Sequence, residues 1–585
     1  MKTVPLGMVG RAAPAIHPVL RPITRAALTL LALGSATLAH AIDFDTGNDE
    51  VKVRWDNTVK YTAAYRTGNP DQAVAASIPA PLGGSGNPNV DFGDLNFNRG
   101  LINSRIDLLT EFDASWRKQL GVRLSGAAWY DTVYNQDSQD FPRTTPYTLL
   151  PNNQAALQGG PNFRMSDSAK KLMGNKAEFS DAFVYGSADL GEGKKLSGRL
   201  GRHTLLYGET LFLGANGIAA AQGPVDLIKL YSLPNAQFKE IALPVGQVSG
   251  NLQLSSNLSV GAYYQYEWRP LRLPAAGSYF SPADFVGEGA DLLLTPSGGA
   301  ANRVADQKGR DSGQFGTRVK FKLPDSDVEY GVYAAQYDEK APIPVFNATD
   351  TSGLYGGGTY RLVYARGVKV VGASFSTLVG ETNVAGEVST RRNTPLHPLG
   401  DLVVNFNTGA NNDGDTAYAR GNTLHANLSA ITVFPANALW QGASLVGELA
   451  FNRLLSVTHN PTNPAFASGV LNTTHTKDAW FMRAVFQPEY FQVLPGVDLQ
   501  VPIGVGYGLS GRSAVLQLSP EHGGDLSVGV VADLQKTWRV GLQATHYYGP
   551  KGPAPSLNAT TNTFASYKQY YADRDFVSLS VQRSF

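Results

Sequence analysis

The sequence predicts an all-β fold, a transmembrane antiparallel β-barrel of about 18 strands, roughly 16 to 20. Three observations point there: long runs of period-two alternation, connections that are short on one side and long on the other, and aromatic residues at the ends of the runs. The clearest run is "VKVRWDNTVKYTAAYR" (Val51 to Arg66), with Val51, Val53, Trp55, Val59, Tyr61, Ala63 and Tyr65 alternating with Lys52, Arg54, Asp56, Thr58 and Lys60. A tilted strand crosses a bilayer in about 9 to 11 residues, and this run supplies more.

The same period recurs along the chain. "LINSRIDLLTEFDASW" (Leu101 to Trp116) sets Ile102, Ile106, Leu108 and Phe112 against Arg105, Asp107, Glu111 and Asp113. Further hairpins are "VSGNLQLSSNLSVGAYYQYEW" (Val248 to Trp268), "FGTRVKFKLPDSDVEYGVY" (Phe315 to Tyr333) and "LSVGVVADLQKTWRVGLQATHYY" (Leu526 to Tyr548). Between hairpins lie long Gly-, Pro-, Asn- and Asp-rich connections, at Asn135 to Lys176, Gly208 to Gly246, Arg269 to Ser312, Asn393 to Gly421 and Gly549 to Tyr571. Short turns are expected on the periplasmic side and long loops outside. Weaker runs near Tyr360 and Ala443 set the spread in the strand count. Tyr65, Tyr134, Trp268, Tyr337 and Tyr548 are expected in the loop-side aromatic girdle, and Trp116, Phe434, Phe486, Trp538 and Phe585 in the turn-side one. A soluble sandwich, solenoid or propeller would also alternate, but it must hide its sheet edges, and long strands with one apolar and one charged face do not serve that purpose.

Composition narrows the chemistry. The 585 residues carry a net charge of +1 and no cysteine, which argues against nucleic acid as partner and excludes disulfides, Cys-based zinc sites and thiol catalysis. At the N-terminus, Arg11, Arg21 and Arg25 precede an apolar stretch from Ala26 to Ala39 and the small-residue site "AHA" (Ala39 to Ala41). Residues 1–41 therefore read as a signal peptide cut after Ala41, with the barrel at 42–585. The final stretch "FVSLSVQRSF" alternates to the last residue, as a wall strand that closes on the first one would. Phe585 reads as the assembly signal by which outer-membrane proteins are handed to the barrel-assembly machinery, and Arg583 stands where an apolar residue is commoner.

Several stretches resemble a family of Gram-negative outer-membrane proteins filed as domain of unknown function 1302: "NRGLINSRIDLLTEFDASW" (Asn98 to Trp116), "RLGRHTLLYGETLF" (Arg199 to Phe212), "GPVDLIKLYSLPNAQFKEIALPVGQVSGNLQL" (Gly223 to Leu254), "GASFSTLVGETNVAGEVSTRRNTPL" (Gly372 to Leu396) and "PGVDLQVPIGVGYGLSGRS" (Pro495 to Ser513). The resemblance implies an outer-membrane barrel in contact with lipid and lipopolysaccharide. It also implies a neighbouring periplasmic protein and a transporter of the resistance-nodulation-division type. It brings no catalytic residues.

Charges on the polar face must look into the lumen, because Arg or Lys facing lipid costs about 2 to 4 kcal/mol at the midplane. Lys52, Arg54, Arg105, Asp107, Glu111, Arg123, Arg202, Arg318, Lys320 and Glu387 are the expected lining, either as a conduit or as an ion-pair lattice that fills the barrel. The segment Gly208 to Gly246 is long and apolar for an outer loop, and Pro224 suits the first turn of a short helix. Folded inward, it would place Leu227, Ile228, Leu230 and Tyr231 as an apolar constriction; ordinary packing among loops is the alternative. Arg202, His203 and Glu209 lack a nucleophile at a recognisable spacing, so no catalytic, cofactor or metal residues are assigned. "NNDGDT" (Asn411 to Thr416) has Thr where a calcium loop needs Gly. The expected function is passage of a specific hydrophobic or amphipathic solute. A porin for polar solutes, an outer-membrane hydrolase and an inert structural barrel are the alternatives.

Overall fold

The computed structural model describes residues 42–71, 73–74, 89, 92–135, 166–233, 235–295, 300–352, 356–398, 401–464, 469–552 and 567–585. The expected signal peptide and its cleavage site lie outside the described residues, as do 136–165 and 553–566 of two expected loops.

The wall begins with β1 (Val51–Arg66), β2 (Gly100–Trp116), β3 (Leu120–Asp131), β4 (Asn175–Gly191), β5 (Lys194–His203) and β6 (Val245–Ser255). It continues through β7 (Leu258–Gln265), β8 (Gln314–Lys322), β9 (Glu329–Tyr337), β10 (Val368–Val379), β11 (Thr382–Pro395) and β12 (Arg420–Phe434). It ends with β13 (Gly442–His459), β14 (Asp478–Leu494), β15 (Val497–Gln500 and Ile503–Ser510), β16 (Gly524–Leu534), β17 (Trp538–Tyr548) and β18 (Phe576–Ser584). The twenty strands of this sheet make eighteen crossings. Ile42–Phe44 only lies against β1, and β15 is one crossing interrupted at Val501 and Pro502, where proline has no N–H to give the ladder. Each strand pairs antiparallel with the next, and β18 pairs with β1 from Thr58↔Ser584 to Arg66↔Phe576, which closes the ring.

Closure explains the amphipathic C-terminus. Phe585 exchanges backbone hydrogen bonds with Asn57, at 2.7 and 2.8 Å. Arg583 shares the outward parity of Val577, Leu579 and Val581, and its guanidinium lies over the rings of Trp538 (5.2 Å) and Phe585 (6.0 Å) at the turn-side rim. An arginine is tolerated there because its stem covers apolar surface while its charge meets aromatic faces.

Outward residues are apolar and open, from Val248 at 45% exposure to Val371 at 58%, with Leu196, Leu200, Val332, Leu428, Val528 and Leu542 between or alongside them. A water-soluble surface does not carry a continuous apolar band of this kind, whereas a bilayer covers it. Among the described residues no helix is long and apolar enough to cross a membrane, so the strands do the crossing. The protein is an outer-membrane β-barrel.

The girdles differ from expectation on the loop side. Tyr134, Trp268 and Tyr337 are buried, each in an internal packed cluster. The exposed loop-side aromatics are Tyr65, Tyr130, Tyr264, Tyr266, Phe315 and Trp480. The loops fold back over the mouth, so an aromatic at the end of a strand faces either lipid or these loops according to its parity.

A second, five-stranded sheet caps the mouth, in the order Val403–Asn405, Ile343–Asn347, Thr359–Val363, Ala300–Arg303 and Leu292–Leu294. The weak run near Tyr360 belongs to this cap, while the run near Ala443 is wall strand β13. Inward side chains divide accordingly. On the loop side, Arg66, Tyr263, Gln265, Val368, Val370, Ser374, Thr423, His425, Asn427 and Ser429 are buried. On the turn side, Lys52, Arg54, Lys195 and Arg199 are exposed.

Candidate functional site

After His203 the chain leaves the wall and crosses the lumen. Tyr207 packs its ring edge-on to Tyr263 (5.5 Å) and beside Tyr333 (6.1 Å), with the Arg318 guanidinium 4.7 Å from its centroid. From Glu209 to Gly217 the segment has no regular secondary structure; Asn216 N and Gly217 N bond within it, to Leu213 O and Gly214 O, and the N–H groups of Glu209 and of Leu211 to Leu213 need acceptors from outside. Two inward glutamates supply them. Glu387 on β11 accepts from Glu209 N (2.6 Å) and Ile218 N (2.7 Å). Glu448 on β13 accepts from the N–H groups of Leu211 (3.2 Å), Phe212 (2.5 Å) and Leu213 (2.8 Å), and from the Thr210 hydroxyl (2.7 Å). Hydrogen bonds to a carboxylate contribute about 1.5 to 3 kcal/mol each, so this is the strongest hold on the segment.

Complementary groups hold the carbonyls. Arg391 donates to the carbonyl oxygens of Ala215 (3.1 Å), Asn216 (2.8 Å) and Gly217 (2.8 Å). The fully buried Asn216 amide donates to Asn427 Oδ1 (2.9 Å) and Phe451 O (3.0 Å), while its oxygen meets His425 Nδ1 (3.0 Å) and the Asn452 amide (3.2 Å). From the cap, Lys340 reaches Ala221 O (3.1 Å) and lies over the Tyr337 ring (4.4 Å). Burial lowers the pKa of its ammonium to about 8.

The segment then reaches the other wall. Asn235 Oδ1 accepts from Ser527 on β16 (2.9 Å), beside the Arg483 and Asp525 ion pair (3.0 Å). This approach depends on Gly504 and Gly506, inward on β15: a Cβ at Gly504 would lie 1.9 Å from Asn235 Oδ1, and one at Gly506 would lie 2.7 Å from both Arg483 and Asp525.

The expected constriction takes a different form. Helix α1 (Leu227–Ser232) starts from an Asp226 cap that accepts from Lys229 N (3.1 Å), so Pro224 lies ahead of the cap and not in the first turn. Leu227 and Leu230 pack against the cluster of Ala219, Val225, Phe238 and Ile241. Ile228 and Tyr231 pack against a different cluster, where Tyr231 meets Tyr571 (5.5 Å) and Phe280 (6.2 Å). The four residues, each half-buried, thus anchor a short helix between two packed clusters and do not form one apolar ring. Arg272 ties the helix to the wall through Asp226 (2.9 Å) and Glu178 (2.5 Å).

The residues expected to line the lumen fall into three groups. On the turn side Lys52 is open to solvent, Arg54 pairs with Asp56 (2.8 Å), and Glu111 pairs with Arg123. Midway, Arg105 pairs with Asp107 (2.5 Å) and lies over the inward Trp129 (4.6 Å). Arg318, Lys320 and Glu387 contact the inserted segment, with Lys320 bridging Glu209 (3.1 Å) and Glu329 (2.7 Å). Arg202 differs: it shares the parity of the exposed Leu196 and Leu200, which places it on the outer face, where it pairs with Glu267 near the loop-side rim.

Two contacts go beyond the residues expected from the sequence. His203 Nε2 lies 2.8 Å from Ser249 Oγ on the adjacent strand, but both residues are buried and the other ring nitrogen faces Gly201 O (3.0 Å) with no carboxylate behind it. Such a pair lacks the orienting acid and the access that nucleophilic catalysis requires. Glu448, which holds the segment, was missed although its parity in "VGELAF" marks it as inward. In the cap, the Asn411 side chain closes its own turn by accepting from Asp413 N (3.0 Å) and Gly414 N (2.8 Å). Among the described residues no three acidic or histidine side chains converge on a metal-sized site.

A family profile described as "Protein of unknown function (DUF1302)" matches residues 23–585. No curated protein matches the chain. Among solved structures, the chain is similar to OccAB4 of Acinetobacter baumannii at 10% identity and a TM-score of 0.40, covering 91% of this chain and 98% of that one. It is similar to OpdK of Pseudomonas aeruginosa with vanillate at 11% identity and a TM-score of 0.37, with the same coverage. The outer-membrane channel DcaP of Acinetobacter baumannii matches at 9% identity and a TM-score of 0.35, covering 93% and 100%. The fold assignment rests on the closed strand pairing described above.

Proposed function

The chain belongs to the DUF1302 family, and we propose that it is a selective outer-membrane channel for a small polar or charged solute. The observation that carries this reading is the division of one lumen into a turn-side vestibule lined by open charges and a loop-side half filled by a segment hung from Glu387 and Glu448. An inert barrel needs no charged vestibule, and an open porin needs no such strut. The hydrophobic cargo expected from the sequence loses its main support, because Leu227, Ile228, Leu230 and Tyr231 are spent on packing. The turn-side mouth, open toward the periplasm, suits delivery to or from the periplasmic partner and inner-membrane transporter that the family resemblance implies. Co-purification after mild cross-linking tests that part separately.

Planar-bilayer recording tests the channel reading. The wild-type protein is expected to show small unitary conductance with ion selectivity set by the vestibule. Changing Lys52 and Arg54 together to Glu should shift the reversal potential toward cations with little change in conductance, because both are exposed on the turn side. No conductance in the wild type, or an unmoved reversal potential, would remove the reading.

A further inference from the structure

The cap sheet carries a cleft of about 320 Å³ that the inserted segment does not enter. Its floor is one face of the sheet. Val345 pairs directly with Arg361, and Asn347 with both Thr359 and Asn405, so these side chains share that face. Its wall is the run from Asn407 to Tyr418, held in shape by the Asn407 amide on Asp415 (2.7 Å) and the Tyr418 hydroxyl on Asn412 (2.7 Å).

The polar groups inside are unevenly satisfied. Asp350, the acidic residue of the lining, already accepts from Thr359 Oγ1 (2.6 Å) and Ser352 N (2.8 Å), and the Ser352 side chain together with these bonds holds its carboxyl below the usual range. The Asn347 amide donates to Thr359 Oγ1 (3.1 Å) and leaves its own oxygen free. Among the described residues, the Arg361 guanidinium, the Gln307 amide and the hydroxyls of Thr349 and Thr408 have no hydrogen-bond or ionic partner. A concave site with one uncompensated cation and several idle neutral donors and acceptors has the composition of a ligand site and a size at the lower end of that class.

We infer that this cleft is an outward-facing binding site for a small hydroxylated carboxylate. Arg361 would take the carboxylate through its planar fork. Gln307, Asn347, Thr349 and Thr408 would take hydroxyls, each acting as donor or acceptor as the ligand requires. A phosphate ester is disfavoured because one cation is available where several are usual, and an apolar ligand would strand the idle polar groups. The site stands on the cap alone and does not depend on whether the barrel conducts.

The test is isothermal titration of the purified full-length protein in detergent with gluconate, and with sorbitol as the uncharged counterpart. Gluconate should bind saturably with one site, and sorbitol should bind about tenfold more weakly or not at all. Arg361→Ala should weaken gluconate by about tenfold or more, and Arg361→Lys should fall between, since the charge remains but the fork is lost. Thr408→Trp, on the exposed wall, should block the cleft without touching the sheet, and it decides the matter if Arg361→Ala does not fold, as judged by heat-modifiable migration. Absence of gluconate binding, equal binding of sorbitol, or binding unchanged by these substitutions would overturn the inference.

Discussion

The two halves of the lumen are made by the same strands yet obey different rules. On the loop side, inward polar groups have exchanged water for one another: Glu448 serves three backbone N–H groups, Arg391 three carbonyls, and the Asn216 side chain five partners. On the turn side, inward charges such as Lys52, Arg54 and Arg123 keep much of their solvent exposure, and their ion pairs are worth little in energy. Removing a buried carboxylate strands several donors at once, whereas removing an exposed charge alters only the field that ions feel.

The sharpest way to break the contrast is Glu448→Ala. It leaves the N–H groups of Leu211, Phe212 and Leu213 without their acceptor, at a cost of about 1.5 to 3 kcal/mol for each bond to a charged group. The segment should leave the β13 wall and single-channel conductance should rise severalfold. Unchanged conductance in a correctly inserted variant would mean that the segment is not the barrier.

Gly504→Val attacks the opposite end. The added side chain occupies the position of Asn235 Oδ1 while suiting a strand. Only the Asn235 side chain, with its bonds from Ser527 and Arg483, is displaced, so the conductance gain should be smaller than for Glu448→Ala. An equal or larger gain would move the principal hold from the β11 to β13 wall to β15.

The strands themselves were legible because lipid on one side and water or polar plug on the other impose a strict period of two. Arg202 and Glu448 were legible by the same rule and were misplaced or missed only because parity was not carried through each strand: Arg202 counts outward from Leu200, and Glu448 inward from Leu449. The cap was not legible. Its strands are three to five residues long and pair across distant loops, as Val345 does with Val403, and nothing local records such partners. Tyr134, Trp268 and Tyr337 show the same limit. A tyrosine or tryptophan at a strand end suits a membrane rim and a buried plug equally well, and the choice is made by loops far away in the chain. Pro224 pointed to a short helix, which begins three residues later behind the Asp226 cap, but the packing partners of Leu227, Ile228, Leu230 and Tyr231, among them Phe238 and Tyr571, are not written in that stretch.

A smaller effect is expected at the loop-side rim, outside the wall. Asp573 is buried beside Asp94, near Arg66 (3.3 Å) and Arg574, and burial with the like charge of Asp94 raises its pKa to about 7. Its folded pKa thus exceeds the ordinary 3.8, so its contribution to stability is full below about 4 and is lost as pH rises through about 7. Asp573→Asn should melt at nearly the wild-type temperature at pH 4 and a few degrees higher than wild type at pH 7.5. A difference that shrinks toward pH 7.5 would reverse the sign of the linkage.

If the segment held on Glu387 and Glu448 restricts the lumen, its release and recapture should raise and lower conductance, and the absence of native cysteine allows a direct test. Asn216 and Asn427 touch across the interface between segment and wall, at 2.9 Å between their side chains. Cysteines at these two positions, placed in the Glu448→Ala background, put the release of the segment under redox control. Single-channel recording under reducing conditions should show the raised conductance of the released segment, and oxidation of the same channels should return it to the low wild-type level. Conductance that stays high after the disulfide has formed, as verified by mass, would contradict the account.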